Sequence, residues 1–326
     1  MSDGPVTRAV RLVAPGEAPR LDEKVTLPEP GPDEVLVELD HAGVNPLDTY
    51  AAAGTVGDLS RLPRTLGVEG TGLLAGTATR VVVTGAGVGL VRDGTWAGAV
   101  VAPRAAVVEL PAGVDPAQAG TLGVAAVTAY ETLHVLGEVR PDDRVLVLGA
   151  AGGVGAVAVQ LAKLAGAAVV GQVGSPAKRD ALTALGAGGL GADQVVVADA
   201  EGLAAAVGDF QPTLVIDPLG GGFTPAVVES AADGARIVLL GVSAGQDLPL
   251  PGRKFYRKGL RLLGYAGLTG TAARRATALK ALAAELVAGR LRIPVDEVVP
   301  LDQYAAVAGR LRERSIVGKV VLATQE

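Results

Sequence analysis

Apolar and polar positions follow two different patterns along the chain, and the change comes near residue 115. Before it, the apolar runs are short, proline is frequent, and the best candidate strands are residues 6–13, 35–39, 80–84 and 99–102. Short apolar runs bounded by turn residues are typical of β-strands. No long helical pattern separates these runs, so this part of the chain predicts a mostly antiparallel β domain.

Beyond residue 115, apolar strands alternate with helical segments. The predicted strands are 145–148, 168–173, 194–197, 214–216, 236–240 and 260–264, and the predicted helices are 153–165, 176–185, 202–207, 224–232 and 271–288. Strands that are apolar on both faces and separated by helices predict a parallel sheet with both faces covered. We therefore predict an α/β protein. Its doubly wound, Rossmann-type domain is residues 119–289, and its mostly β domain is formed by residues 1–118 and 290–326.

The composition excludes several kinds of catalytic and metal-binding site. The 326 residues include 46 glycines, two histidines and no cysteine, and 49% of them are apolar. Without cysteine, disulfides, thiolate nucleophiles, iron–sulfur clusters and cysteine-bound zinc are excluded, and two histidines cannot build a three-histidine metal site. The apolar content argues against intrinsic disorder, and a net charge of −5 gives no general attraction to nucleic acid or anionic membranes.

Nothing in the sequence indicates export or a membrane anchor. Residues 1–20 lack the apolar segment of a secretory signal. The best candidate for a membrane span, residues 145–162, contains four glycines and divides into a strand and a helical pattern. We expect a cytoplasmic protein with no membrane partner and no nucleic-acid partner.

Two strands are followed by clustered glycines, the arrangement that a dinucleotide-binding turn requires. The first cluster, at 85–89, leads into residues 90–96, which are too short and too broken by Gly94 to form a helix. Without a helix N-terminus this cluster cannot hold a pyrophosphate. We interpret it as a loop between strands.

The second cluster follows the strand at 145–148 and precedes the helical pattern at 153–165. Gly152 and Gly153 let the backbone approach a phosphate, and Gly155 lets the helix pack against the strand. The N–H groups and the positive end of the helix dipole favour an anion. The alternative is a glycine turn that serves packing alone. The residues predicted to bind a dinucleotide phosphate are Ala151, Gly152, Gly153, Val154 and Gly155.

The end of the next strand bears on the choice between the two nicotinamide cofactors. An NAD site places an acidic residue about 20 residues after the turn, where it binds the ribose 2′-hydroxyl, but residues 172–179 contain no acid. Gly174 and Ser175 are followed instead by Lys178 and Arg179, which suit a 2′-phosphate. Ser175 could also cap the following helix while the cations stay solvated, and the two roles are compatible. We favour NADPH over NADH.

Seven short motifs are distributed over nearly the whole chain. They are AGVNPLDTY at 42–50, LGVEGTG at 66–72, VTAY at 127–130, GAAGGVG at 149–155, GSPAK at 174–178, GARIVLLG at 234–241 and GKVV at 318–321. Together they resemble the medium-chain dehydrogenase/reductase superfamily and, within it, the zinc-free, ζ-crystallin-like quinone oxidoreductase branch. The resemblance implies a GroES-like, mostly β catalytic domain beside the Rossmann domain.

The resemblance also implies which residues line the catalytic cleft and contact the cofactor. Zinc-dependent members of the superfamily have an early metal-binding cysteine and a Gly-His-Glu motif. In this chain Asn45 stands near the position of the cysteine, and GVE at 67–69 replaces Gly-His-Glu. The resemblance therefore implies a metal-free enzyme. Residues matching Asn45, Tyr50 and Thr128 line the cleft near the nicotinamide in such relatives. A further segment is expected to contact the cofactor, namely Leu240, Gly241, Val242 and Ser243.

We expect hydride transfer from NADPH to a quinone or to the β-carbon of an α,β-unsaturated carbonyl. The acceptor oxygen gains negative charge, which hydrogen-bond donors stabilise where no zinc does. Tyr50 and Asn45 are the candidate donors of the chain, and the ribose hydroxyl of the cofactor is another; either Tyr50 or water supplies the proton. Asp48 either orients a neighbouring donor or pairs with a cation. Tyr50 could instead be a packed aromatic residue.

Two other functions stay open. An enoyl-thioester reductase of fatty-acid or polyketide metabolism would share every motif. An NADPH-binding sensor or interaction protein with little turnover belongs to a different class. The strand at 260–264 would form the exposed edge of the parallel sheet, so we expect a homodimer through it. His41 and His134 are expected to be structural.

Overall fold

The chain forms two compact units in the computed structural model, which describes residues 4–186, 191–267 and 270–325. The first unit contains 4–127, 270–289 and 295–325, and the second contains 128–267 without 187–190, together with 290–294. The fold is α/β, as predicted. The strands are β1 Val6–Leu12, β2 Arg20–Thr26, β3 Glu34–Gly43, β4 Arg64–Thr65, β5 Glu69–Leu74, β6 Arg80–Thr84, β7 Ala99–Pro103, β8 Val107–Glu109, β9 Arg144–Val147, β10 Ala168–Val173, β11 Gln194–Val197, β12 Leu214–Asp217, β13 Arg236–Leu239, β14 Arg261–Gly264, β15 Val295–Pro300 and β16 Lys319–Ala323.

The helices before residue 150 have at most seven residues, and the longest helices follow it. The helices are α1 Pro46–Ala52, α2 Pro116–Ala119, α3 Val127–Tyr130, α4 Gly153–Leu164, α5 Pro176–Leu185, α6 Leu203–Val207, α7 Phe223–Ser230, α8 Gly252–Arg257, α9 Ala272–Val287 and α10 Tyr304–Arg312. Wide π-helical turns, Leu122–Ala126 and Glu131–Leu136, flank α3. Within the described ranges, no helix combines the length and the apolar character needed to cross a bilayer.

The first unit is built from two mostly antiparallel sheets, as its short apolar runs predict. One sheet has the order β15-β16-β3-β5-β6-β8 with β7 paired to β3, and the other has the order β2-β1-β4. The pair β15–β16 is parallel, whereas the other strand pairs of these two sheets are antiparallel. Alternate residues of β3 are buried, which is the pattern of a sheet with one face on a core.

The second unit contains one parallel sheet of six strands in the order β11-β10-β9-β12-β13-β14. The chain starts at β9 in the middle, builds outward to β11, and then crosses to β12 on the other side of β9. This is the strand order of a doubly wound nucleotide-binding fold, which confirms the predicted fold class. In such sheets ligands bind at the carboxyl ends of the strands where the order reverses, here between β9 and β12.

A buried ion pair lies at the amino end of this sheet. Arg236, the first residue of β13, donates to Asp143, which precedes β9, and to the Gly137 carbonyl oxygen at 2.5 Å. Burial disfavours the charge of Asp143, but hydrogen bonds from Thr213 and Arg236 outweigh it and lower the pKa of this carboxyl. Both partners are nearly inaccessible to water, so each charge depends on the other.

The division into units differs from the predicted domain boundaries at 118/119 and 289/290. Residues 119–127 and the whole of α9 belong to the first unit, while 290–294 belong to the second. Helix α9 packs against Leu122–Ala126, and its Arg275 lies against Gly85. The Gln160 side chain in α4 binds both the N–H and the carbonyl of Arg292, at 2.9 and 2.7 Å, which ties that short segment to the second unit.

The elements that the sequence patterns did not indicate include β2, β5 and α1. Strand β2 carries charged residues at its exposed positions and one buried valine, so it lacks the apolar alternation of a strand. Strand β5 contains two glycines; a Cβ at Gly72 would overlap the Glu38 carbonyl oxygen, so this glycine allows β3 and β5 to approach. Helix α1 has seven residues, too few for a helical period to show.

Candidate functional site

The glycine turn after β9 is held in place by a buried glutamine. Gly149 has φ +58°, a conformation that favours glycine, and its N–H donates to Gln172 Oε1 at 3.0 Å. The side-chain Nε2 of Gln172 donates to the Ala198 carbonyl at 2.6 Å, and the backbone carbonyl of Gln172 accepts from Ala150 N at 2.8 Å. One side chain therefore connects the carboxyl ends of β9, β10 and β11.

Helix α4 begins directly from this turn with no side-chain cap. Gly152 is the N-cap residue, and no side chain of the described residues accepts from the first-turn N–H groups. A Cβ at Gly155 would overlap the Gly149 carbonyl oxygen and lie 2.7 Å from Ala150 Cα, whereas a Cβ at Gly152 would meet only that oxygen, at 3.3 Å. Gly155 thus serves helix–strand packing, and the open N-terminus around Gly153 suits a phosphate.

The end of β10 carries the residues predicted for the adenosine side of the cofactor. A Cβ at Gly174 would meet no atom within 4 Å, so the backbone there is open to a ligand. Ser175 is the N-cap of α5, and its Oγ accepts from Lys178 N at 3.3 Å. Arg179 forms an ion pair with Asp180 at 2.9 Å. Ser175 is a helix cap whose hydroxyl also stands beside the open glycine.

The segment 240–243 lies at the same edge of the sheet. Ser243 Oγ donates to the Pro218 carbonyl at 3.1 Å, and a Cβ at Gly241 would lie 2.7 Å from that oxygen. Leu240 N donates to the Asp217 carbonyl at 2.9 Å, and the Val242 side chain is exposed. Because β9, β10, β12 and β13 are parallel and in register, the turn at 149–155, the residues after β10 and this segment share the carboxyl edge.

Thr128 lies in α3 and is half-buried. Its carbonyl oxygen accepts from Thr132 Oγ1 at 2.7 Å, a bond inside the helical stretch.

In the first unit, the structure gathers four buried polar side chains around the start of α1: Asn45, Asp48, Glu69 and Lys319. Asn45 is the N-cap residue of α1; its Oδ1 accepts from Lys319 Nζ at 2.5 Å and its Nδ2 donates to Glu69 Oε1 at 2.8 Å. Both side-chain atoms of the predicted donor Asn45 are therefore bound within the protein.

Asp48 completes this helix start. Its two carboxylate oxygens accept from the backbone N–H groups of Asn45, at 2.8 Å, and Val68, at 3.0 Å. Complete burial raises the pKa of Asp48 to about 7, against the opposing effect of these hydrogen bonds and of Lys319. A carboxyl in this position holds the backbone of Asn45 in place and is itself fully buried.

Tyr50 lies on α1, two residues beyond Asp48, with half of its surface exposed. None of the residues in the described ranges forms a hydrogen bond with its hydroxyl, which leaves that group open to a ligand. The two histidines have other partners: His41 Nδ1 binds Asp40 at 2.9 Å, and the ring of His134 packs at a tilt against Tyr130, with 4.8 Å between the ring centroids. Tyr50 is thus the accessible donor of the predicted catalytic set.

Glu69 and Lys319 are the functional candidates that sequence reasoning missed. Both belong to motifs of the resemblance, at 66–72 and 318–321, yet no role was predicted for them. Each is a single charged residue within an apolar and glycine-rich stretch, GVEGTG and IVGKVVLA. A lone charge in such a stretch signals burial with a partner, although the sequence does not name the partner.

Comparison with known proteins supports the same family. The profile of the zinc-binding dehydrogenase family matches residues 153–284. The chain is 27% identical over 311 residues to a quinone oxidoreductase of Sus scrofa, covering 94% of both chains. It is 35% identical over 244 residues to the pikromycin polyketide synthase component PikAII of Streptomyces venezuelae, covering 72% of this chain but spanning only 6% of that protein.

A solved structure extends the match to the whole fold. The structure of mycobacterial Rv1454c complexed with NADPH superimposes with a TM-score of 0.83 at 25% identity, covering 97% of this chain and 99% of the relative. Among the described residues of the present chain, no three His, Asp or Glu side chains gather to hold a metal ion. The family profile, the relatives and the shared fold together place the chain in the medium-chain dehydrogenase/reductase superfamily, in its quinone oxidoreductase branch, as an oxidoreductase.

Proposed function

We propose that this protein is an NADPH-dependent, zinc-independent reductase that transfers hydride to a quinone or to the β-carbon of an α,β-unsaturated carbonyl. The observation that carries the proposal is the uncapped glycine start of α4 at the strand-order reversal of a parallel sheet. Backbone N–H groups without a cap and the positive end of a 12-residue helix together favour a pyrophosphate. The bound cofactor supplies the hydride.

The preference for NADPH rests on the residues after β10. Residues 172–179 offer no carboxylate to a ribose 2′-hydroxyl, whereas Ser175, Lys178 and Arg179 offer a hydroxyl and two cations to a 2′-phosphate. The ion pair of Arg179 with Asp180 is exposed, so it costs little to rearrange. Gly174 leaves room for the ribose beside these groups.

In the first unit we assign direct contact with the acceptor to Tyr50. Its hydroxyl is accessible and free of intramolecular bonds within the described part of the chain, so it can donate to the acceptor oxygen as negative charge develops there. Asn45 and Asp48 hold the start of the helix that carries Tyr50. The hydrogen bond from the N–H of Asn45 to Asp48 supports an orienting role for Asp48, the first of its two predicted alternatives.

The donor set supports the proposed zinc independence. The chain has no cysteine, Val68 has no ligand atom, and both polar atoms of Asn45 are bound to Lys319 and Glu69. A zinc ion at this place would have to displace the Lys319 ammonium from its acceptors.

The test is an assay of purified protein with NADPH and NADH against quinones, alkenones and alkenals, with and without a strong chelator. We expect NADPH oxidation that the chelator leaves unchanged. Loss of activity with the chelator would refute zinc independence. Tight NADPH binding without oxidation by any acceptor would favour the sensor.

An enoyl-thioester reductase is the second candidate, and one observation favours it: the 35% identity to part of a polyketide synthase. Adding enoyl thioesters to the acceptor panel separates the two. A kcat/KM at least about tenfold higher for thioesters than for every quinone and alkenone would select this reading.

We also propose a homodimer through β14. This strand ends the parallel sheet, and its Arg261 and Leu262 are exposed, so it presents a free edge for pairing. Light scattering at micromolar concentration should give twice the monomer mass; a monomer mass would refute the pairing. The cytoplasmic location stays a prediction.

A further inference from the structure

Lys319 is a buried lysine whose hydrogen-bonding capacity is fully used. Its Nζ donates to the Val44 carbonyl at 2.8 Å, to Asn45 Oδ1 at 2.5 Å and to Glu69 Oε1 at 3.1 Å. An ammonium group has three donor hydrogens, so each one has an acceptor. The residue is 4% exposed, and a buried ammonium persists only with such partners.

Glu69 joins three distant parts of the chain through one carboxylate. Its Oε1 accepts from Lys319 at the start of β16 and from Asn45 before α1, and its Oε2 accepts from Val124 N at 2.7 Å in the wide turn Leu122–Ala126. Gly43 makes room for it, since a Cβ there would lie 2.5 Å from Glu69 Oε1. The carboxylate has no exposed surface, so its charge is balanced by Lys319.

This arrangement fixes the orientation of the Asn45 side chain. Lys319 can only donate, so the amide oxygen must face it, and the amide nitrogen must face the Glu69 carboxylate. The N–H of Asn45 in turn donates to Asp48, which closes the first turn of α1. The direction of α1 at its start is thus set by a charged pair.

Helix α1 depends on that start because it is short. A seven-residue helix is not stable by itself. Its large exposed side chain is Tyr50. Any tilt at the N-cap is carried along the helix to the Tyr50 ring.

We propose that Lys319 is a positioning residue, whose ammonium holds Asn45 and Glu69 so that α1 presents Tyr50 to the acceptor. Its effect on activity rests on the proposed function, in which Tyr50 donates to the acceptor oxygen. Its effect on α1 does not. A purely structural ion pair would stabilise the first unit without acting through Tyr50.

The experiment compares Lys319→Met, which removes the charge, with Lys319→Arg, which keeps it, and with Lys280→Met, a matched change of an exposed lysine on α9. We expect Lys319→Met to lower kcat about 10- to 100-fold, the effect of a misplacement near 1 Å. KM for NADPH should stay within about twofold, because the second unit is untouched. Lys319→Arg should recover kcat to within about threefold, and Lys280→Met should match the wild type.

The decisive readout is the same change in a Tyr50→Phe background. If Lys319 acts through Tyr50, Lys319→Met costs less than about threefold in kcat once the hydroxyl is gone, because the two losses are coupled. Equal losses in both backgrounds would overturn the proposal. Should Lys319→Met fail to fold because Glu69 is left unpaired, the double variant Lys319→Met/Glu69→Gln removes both charges and is measured in its place.

Hydrogen exchange separates this proposal from the proposed function. We expect the amides of residues 47–52 to lose protection at least about tenfold in Lys319→Met but not in Lys319→Arg. Unchanged protection would overturn the positioning role. If the wild type reduces no acceptor, the proposed function fails, while the exchange result still decides whether Lys319 holds α1.

Discussion

Replacing Ser175 by aspartate should reverse the cofactor preference, because the change adds the carboxylate that residues 172–179 lack. Aspartate is as good an N-cap as serine, so its oxygen can accept from Lys178 N as Ser175 Oγ does, and α5 should begin at the same residue. The new charge stands where we place the 2′-phosphate of NADPH. The change therefore tests the cofactor site without disturbing the fold.

The expected magnitude follows from the charges involved. A 2′-phosphate carries about −1.5 to −2, and two unit charges at ~4 Å interact with ~1 kcal/mol in water and ~4 kcal/mol near a protein surface. Because Ser175 is partly exposed, we expect NADPH binding to weaken by about 2–4 kcal/mol, or about 30- to 1000-fold. NADH should bind about 5- to 10-fold more tightly, through one new hydrogen bond of about 1 kcal/mol to the ribose.

The assay is kcat/KM for NADPH and NADH with one acceptor, together with the Kd of each cofactor by fluorescence. Ser175→Asn is the matched control, because asparagine caps the helix and has nearly the shape of aspartate without the charge. Its NADPH:NADH ratio should change by less than about fivefold. If Ser175→Asp leaves the ratio within the range of this control, the 2′-phosphate does not lie at the end of β10.

Further predictions concern packing, pH and the donor. Gly155→Ala should destabilise the protein by about 1–3 kcal/mol in thermal unfolding, because its Cβ overlaps the turn; Gly174→Ala, with open space around it, is the control, and equal stability of both would contradict this. Asp143→Asn should cost about 3–5 kcal/mol at neutral pH by leaving the buried charge of Arg236 without a counter-charge. Since the folded pKa of Asp143 is lowered, its stabilisation is present above the unfolded value near ~4 and is lost as pH falls through the folded one; a variant with the wild-type acid transition would refute this. Tyr50→Phe should lower kcat about 10- to 1000-fold with unchanged NADPH binding; wild-type kcat would remove Tyr50 from the mechanism.

The parallel sheet and its glycine turn could be predicted because their signals are local. Residues 145–155 contain a buried strand, a tight turn and a helix start in one continuous stretch, and the structure forms all three there. The glycine cluster at 85–89 could be distinguished from a dinucleotide-binding turn for the same reason. A dinucleotide-binding turn must be followed by a helix, and no helix follows this cluster within ten residues. Strand β2 escaped prediction because its exposed positions carry the charges of a loop.

The buried cluster around Asn45 could not be predicted in the same way. It joins residues 45, 69 and 319, which meet only because β16 pairs with β3 and β3 pairs with β5. The sequence motifs predicted Asn45 as a donor to the substrate. They did not indicate that its side-chain oxygen and nitrogen form hydrogen bonds with Lys319 and Glu69. Partners that are distant in sequence require the tertiary structure, and here they bind the side-chain amide of a predicted donor, whose role towards a substrate stays a prediction.

Isotope transfer tests directly whether NADPH passes its hydride to the acceptor without zinc. NADPH deuterated at the transferred position of C4 is incubated with an alkenone in the presence of a strong chelator, and the product is analysed by NMR. We predict a saturated ketone with deuterium at the β-carbon, formed at the same rate with and without the chelator. Product without deuterium at that carbon, or product that forms only after zinc is restored, would contradict it.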